Sequence, residues 1–325
     1  MAPGRKLAKV ARSLEQYALR PADGAITLDT LPIVEDESVP SSAAGGAGGG
    51  AGGGAAGTAE ALYAVPELAD LGPLVRAGRP TPLTESETEY VVSAAKHVFG
   101  SHLVLQYNVT NTLNDQLLVD VSVAPDVGGG EGIWEVEATV PLARLPYGST
   151  PGVTYVVLRY VGGGGAEYPP LTLSNELKFH VHEVDPDTGE AEEDGFEEEY
   201  PLEDLEVSPA DFMTRVQVPD FRAAWEEMGD EHEAMEKFSL QFKSIELAVP
   251  AVIDCLGMVP CENSATPASR TKPHNLYLSG TFVGGVKCLA RCQVSLAAAG
   301  DASILKIGIR SDNAEISQML TECIR

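Results

Sequence analysis

The sequence predicts two β-rich domains in series: a β-sandwich of about 120 residues, then a compact α+β domain of about 110 residues. Three observations carry the prediction. From residue 83 apolar and polar residues alternate in short runs broken by turns, with no helical period. After Val207 helix-like and strand-like runs follow one another in the order helix, strand, helix, three strands, helix. Before both, residues 43–57 are all Gly or Ala, which separates the folded part from the amino-terminal segment.

Residues 1–35 are of mixed polarity, with room for one short helix over 7–19 before Pro21. Arg5, Lys6, Lys9 and Arg12 precede the first acid, Glu15; the pattern has a faint transit-peptide character and lacks the apolar core of a secretory signal. The Gly/Ala run cannot bury enough apolar surface to offset its ordering entropy, so a flexible tether is expected, spanning on the order of 35 Å with its flanks. A short apolar piece over 65–74 leads into the sandwich.

Leu103, Leu105, Tyr107 and Val109 predict one strand with its apolar face inward, and Leu117, Val119, Val121 and Val123 a second. Trp134, Val136, Ala138 and Val140, alternating with Glu135, Glu137 and Thr139, predict a third; 153–161 and 177–182 supply two more. The glycine runs between them lack the Gly-Lys-Ser/Thr of a phosphate loop and are expected as hairpin loops. Thirteen acidic residues and no Lys or Arg then fall between Glu183 and Glu206. The opening Asp-Pro-Asp-Thr-Gly-Glu at 185–190 puts its glycine out of register for a calcium loop, so a solvated, mobile loop is expected.

In the second domain a short helix over 219–228 ends at Gly229, a strand covers 238–242, and a longer helix over 244–258 is stopped by Gly257 and Pro260. Pro250 inside it is expected to kink the helix or delay its start. Three strands, 276–282, 288–296 and 304–310, form a predicted meander around the Gly284-Gly285 turn. Ser311 or Asp312 is the expected N-cap of a last helix carrying Ile316, Met319, Leu320 and Cys323 on one face.

The net charge of −26 argues against nucleic acid, whose phosphates need clustered Lys and Arg, and against an anionic lipid surface. No apolar run reaches the roughly 18 residues of a membrane span, and a cytosolic location is expected. The sequon at Asn108 carries no weight without a secretory signal. The five cysteines all lie at or beyond position 255, with no repeated CxxC spacing, and are expected as reduced, partly buried thiols rather than zinc ligands or a disulfide framework. His180 and His182 alternate on the polar side of a strand as an exposed pair. No nucleophile elbow, His-Glu-x-x-His or Walker motif occurs. No catalytic residue, metal or cofactor is expected, and the protein is not expected to be an enzyme.

Phe221 and Trp225 are four residues apart in the first predicted helix of the second domain and share a face. Two large aromatics there belong either to a core or to a docking surface.

The strings LTESETEYVV at 83–92, TNTLNDQ at 110–116, DPDTGE at 185–190, YPLEDLEV at 200–207 and FRAAW at 221–225 resemble the appendage, or ear, of the gamma subunit of coatomer, the COPI vesicle coat. The resemblance implies an immunoglobulin-like sandwich followed by a platform domain, as in the ears of clathrin adaptors. It divides the chain into the end of a helical trunk (1–34, most of the trunk missing), a hinge (35–64), a lead-in (65–82), the sandwich (83–212) and the platform (213–325).

In such ears the platform helix carries an exposed Trp at the centre of a pocket ringed by basic residues. Trp225 matches that Trp, Arg291 and Arg310 are its implied basic neighbours, and Phe221 a supporting aromatic. Trp offers large contact area at low entropic cost, and Arg pairs with acidic or carbonyl groups of an extended peptide. The implied function is recruitment of Arf GTPase-activating proteins and other coat regulators in Golgi to endoplasmic reticulum and intra-Golgi transport. The implied place is the cytoplasm, peripheral on Golgi membranes and COPI vesicles, with other coatomer subunits held through the trunk. A clathrin-adaptor-type ear and a calcium-responsive acidic module are the alternatives.

Overall fold

The structure, a computed structural model, describes residues 54–324 except 131, 149, 163–167, 169, 186–187, 268–271 and 298–301. The helix predicted over 7–19 and the first part of the hinge lie outside the described residues. The described residues fall in one compact unit.

In chain order the elements are α1 (Gly54–Tyr63), β1 (Leu74–Ala77), β2 (Thr81–Pro82), β3 (Tyr90–Phe99), β4 (His102–Asn111), β5 (Gln116–Asp126), β6 (Trp134–Val140), β7 (Leu142–Leu145), β8 (Gly152–Tyr160), β9 (Leu171–Glu183) and β10 (Phe196–Val207). There follow β11 (Met213–Thr214), α2 (Phe221–Met228), β12 (Ala234–Leu240), α3 (Ile245–Leu256), β13 (Val259–Pro260), β14 (His274–Phe282), β15 (Val286–Leu296), β16 (Ser303–Ser311) and α4 (Ala314–Glu322).

The predicted fold class is the one observed. One sandwich sheet runs β1-β3-β4-β8-β6 with β2 beside β3, and the other runs β10-β9-β5-β7. Val92, Leu105, Tyr107, Val109, Leu118, Val121, Leu173, Leu177 and Val181 meet between them. Inside this layer the Tyr107 hydroxyl donates to Asn175 Oδ1 across the two sheets at 2.7 Å, the partner a buried polar group requires.

Several expectations are corrected. Alternation over 117–123 breaks at a bulge between Val119 and Ser122, where Asp120 has φ +53°; the core then takes Leu118, Val121 and Val123. In β6, an edge strand with its own bulge, Trp134 is buried but Val136 is exposed. The end of the expected hinge is helical: α1 covers 54–63, and its Leu62 packs with Leu68, Phe99, Val104 and Val157 on the outer face of the sandwich.

The second half of the acidic run is not a loop. Residues 196–207 are strand β10, paired to β9 from Phe196↔Val181 to Val207↔Leu171. Two alternating runs joined by a register shift between Leu202 and Leu205 explain it: Tyr200 and Leu202 pack against the core and Leu205 and Val207 enter it, while Glu199, on the other face from Tyr200, meets Lys178 at 2.6 Å.

The platform sheet runs β11-β14-β15-β16-β12, with β13 beside β14. Rows such as Leu276↔Cys292↔Ile307 and Leu278↔Ala290↔Ile309 form the face covered by α3, through Ile245, Val249, Val252 and Leu256, and by α4, through Ile316 and Leu320. Helix α3 starts at Ile245 despite Pro250, with the Ser244 hydroxyl accepting from Leu247 N. Pro250 is exposed, on the side of the helix away from the core. The cap of α4 is Asn313, whose side chain accepts from Glu315 N and Ile316 N. Ser311 instead bonds Asn313 O and Ser317.

Sandwich and platform share a junction. Phe212 stacks on both Trp134 and Tyr168, with Phe282 of β14 edge-on against Tyr168. Lys96 bridges Asp211 at 2.6 Å and Glu206 O at 2.7 Å, and Arg76 donates to the carbonyls of Ala210 and Met213.

Candidate functional site: the outer face of the platform sheet

Strand alternation divides the platform into two faces. The face opposite α3 and α4 is half covered by α2, a helix of only eight residues. Its start is fixed by Asp220, whose carboxylate accepts from Ala223 N at 2.9 Å, and it ends at Gly229 with φ +71°, a conformation that glycine adopts without Cβ strain. So short a helix depends on packing. Phe221 and Trp225 supply it: their rings stack at 5.7 Å, Phe221 lies 5.0 Å from Tyr277, and Leu289 and Cys261 complete the cluster.

The structure brings all four predicted site residues together, and Trp225 and Arg310 differ from what the resemblance implied. Trp225 is only 6% exposed and Phe221 3%, so the indole is no open platform. The guanidinium of Arg310 lies 4.3 Å from the indole centroid and that of Arg291 5.0 Å, within cation–π range. Arg310 is fully engaged. Its Nε and Nη2 donate to Glu233 Oε2 at 3.1 and 2.8 Å, and its Nη1 donates to the Trp225 carbonyl at 2.8 Å. Both side chains of the pair are nearly enclosed, at 14% and 11% exposure. Arg291 is exposed, and among the described residues it has neither an ion pair nor a side-chain hydrogen bond.

Beside this cluster the sheet opens into a depression of about 730 Å³. Two register rows cross it: Tyr277↔Arg291↔Gly308↔Met235 and Asn275↔Gln293↔Lys306↔Lys237. Gly308 keeps the floor low, since a Cβ there would come within 3.0 Å of Glu233 Oε1 and 3.7 Å of the Trp225 ring edge. Met235 stands 72% exposed. Sequence reasoning missed Met235, Lys237, Tyr277, Gln293 and Lys306; the outward positions of the predicted strands held them, once β12 is extended back from 238 to 234.

The depression offers contact area and positive charge. Among the described residues no three His, Cys, Asp or Glu converge on a metal position, and no helix is long and apolar enough to cross a membrane. Cys261, Cys288 and Cys292 are buried, and no disulfide forms among the described residues. Burial pushes the Cys288 and Cys292 thiols up to about 12.

A β-sandwich followed by a platform, with an open depression beside a short aromatic helix, is the two-part architecture of an appendage domain. The family models agree. "Coatomer gamma subunit appendage platform subdomain" matches residues 56–208 and "Coatomer subunit gamma-1 C-terminal appendage platform" matches 210–324. The chain belongs to the coatomer gamma-subunit family, of which it carries the appendage region.

It is 44% identical to coatomer subunit gamma-2 of Oryza sativa subsp. japonica over 81% of this chain and 29% of that protein. It is 42% identical to coatomer subunit gamma of Arabidopsis thaliana over the same shares, and 38% identical to human coatomer subunit gamma-2 over 92% of this chain and 34% of that one. It therefore spans about a third of the length of these relatives. A crystal structure of the yeast GGA1 GAE domain also matches, at 13% identity and a TM-score of 0.24, over 38% of this chain and 99% of that one, a likeness too slight to carry an argument.

Proposed function

We propose that this chain acts as a COPI coat component at Golgi membranes, in Golgi to endoplasmic reticulum and intra-Golgi transport. Its platform recruits accessory proteins, Arf GTPase-activating proteins among them. The observation that carries the reading is the open depression on the platform's outer face, where Met235 and Arg291 are exposed beside Trp225. Trp225 and Phe221 support this surface from below, and Arg310 braces it, while Arg291 and Met235 make the contact. A single such contact is weak; many copies on one membrane raise its effective strength. Other coatomer subunits are held through parts of the relatives that lie outside this chain.

The test is capture of an Arf GTPase-activating protein by the full chain, measured by calorimetry. Met235→Asp and Arg291→Glu change exposed side chains and should each weaken binding at least ten-fold, with the melting temperature unchanged. Trp225→Ser should lose binding together with stability. Binding within two-fold of the parent in both surface variants would place the contact elsewhere.

A further inference from the structure

The turn over 84–89, between β2 and β3, takes no part in the platform face. Its sequence, TESETE, alternates hydroxyls with glutamates. Two of its three hydroxyls hold the turn together. Thr84 Oγ1 accepts from Val92 N at 2.9 Å, and Thr88 Oγ1 donates to the carbonyls of Glu85 at 3.0 Å and Tyr90 at 2.9 Å. The Thr112 hydroxyl ties the turn to the next loop through the carbonyls of Thr88 and Glu89, at 3.0 and 2.8 Å. Ser86 does none of this. It is exposed in the turn, and its hydroxyl has no hydrogen bond to a described residue. Glu85, Glu87 and Glu89 around it are exposed too, and none has an ion pair with a described residue.

We propose that Ser86 is a phosphorylation site for an acid-directed serine kinase, one whose substrate cleft is lined by Lys and Arg. Glu87 and Glu89, one and three positions after the serine, and Glu85 before it carry the charge that such a cleft selects. No Lys or Arg lies between Arg79 and Lys96, so a kinase that selects basic flanks has nothing to hold. The segment between Pro82 and Tyr90 is outside any strand, and seating it in a cleft disturbs turn contacts rather than sheet pairing. In the transfer, Ser86 Oγ attacks the terminal phosphorus of a nucleoside triphosphate, its proton passes to a carboxylate of the kinase, and the bond to the bridging oxygen breaks to release the nucleoside diphosphate. The product sets a charge of about −1.5 to −2 among three carboxylates. Lys96, which bridges Asp211 at the junction with the platform, lies about 20 Å along β3 from the turn, so the modification stands apart from the docking surface.

The test incubates the full chain with casein kinase 2 and radiolabelled ATP and maps the phosphate by peptide mass spectrometry. Ser86 should be labelled stoichiometrically in the native protein. Ser86→Ala should lower incorporation at that peptide at least ten-fold. Glu87→Gln/Glu89→Gln, which leaves the hydroxyl in place, should lower kcat/KM for Ser86 at least ten-fold. These side chains are exposed, so the melting curves should not move. Phosphate that maps only to other residues, or labelling of Ser86 only after unfolding in urea, would overturn the proposal. Unchanged kcat/KM in the double glutamine variant would overturn it as well, since the acids would then not be what the kinase reads. Protein kinase A, which selects basic flanks, should leave Ser86 unlabelled; labelling by it as fast as by casein kinase 2 would also count against the proposal.

Discussion

Replacing Arg310 by Met separates bracing from binding. Arg310 makes two bonds to Glu233, one to the Trp225 carbonyl, and lies over the indole. Cutting one partner out of a buried ion pair costs about 3–5 kcal/mol, mostly for the charge left behind. Glu233 is 11% exposed, so some water reaches it, and the lower end, about 3 kcal/mol, applies. The lost cation–π contact adds about 0.5–1 kcal/mol, and the methionine stem preserves part of the packing over Trp225. The total is about 3–4 kcal/mol.

Glu233→Gln removes the stranded charge, so the double variant should be less unstable than the two losses summed, with a coupling of about 2 kcal/mol. The assay is urea unfolding followed by circular dichroism, with the four proteins of the cycle side by side. Arg291→Ala is the control, with a cost under about 1 kcal/mol because its side chain is exposed. Additive losses, or an Arg310→Met cost no greater than that of Arg291→Ala, would refute the claim that Arg310 is built into the fold rather than offered to a partner.

Three further outcomes follow from particular residues. Gly257 caps α3 at φ +64°, and a Cβ there would lie 2.7 Å from the Ala210 carbonyl; Gly257→Ala should cost about 2–4 kcal/mol by thermal unfolding, where a solvent-facing cap glycine would cost about 1. His97 is buried with Nδ1 unpartnered, and burial holds its pKa below the usual imidazole value. The unfolded chain therefore binds a proton that the native state refuses, so stability falls as pH drops below about 6.5, by up to about 1.4 kcal/mol per unit, and His97→Gln should flatten that slope. Iodoacetamide at pH 8 should label Cys323 in the native protein, label Cys255 more slowly because burial pushes its thiol up, and spare Cys261, Cys288 and Cys292, which are buried. Peptide mass spectrometry reads the result, and rapid labelling of all five would contradict the packing.

Much of the architecture was legible because it rests on alternation and punctuation. The β14–β16 meander, the glycine stops of α2 and α3, and the sandwich strands with one wet face follow from period two and from Gly and Ser positions. Strand β3 was not legible. Its outward residues are covered in turn by the 62–68 segment, so Val98 and Phe99 are both buried and alternation disappears.

The bulge at Asp120 shifts every later side chain by one, which no pattern within a strand announces. Composition alone suggested a loop for 183–206, because thirteen acids mask the apolar pairs Tyr200/Leu202 and Leu205/Val207, which a register shift puts out of phase with each other. At the site, sequence reasoning brought forward Phe221, Trp225, Arg291 and Arg310, and they do cluster. It could not show that Trp225 is covered, because Arg310, which donates to its carbonyl, lies 85 residues away and its orientation depends on Glu233.

Strand β10 ends its sheet, and a strand in that position carries a row of backbone groups that a strand from another molecule could use. Here the exposed Phe196 is followed by Glu197, Glu198 and Glu199, and after Tyr200 comes Pro201, which has no N–H to give. Any second copy approaching edge to edge brings the same three carboxylates to the same place. Crowding, which turns ordinary sheet edges into seeds for aggregation, is thereby met with like-charge repulsion and an interrupted donor pattern, and neighbouring copies can stay individually folded.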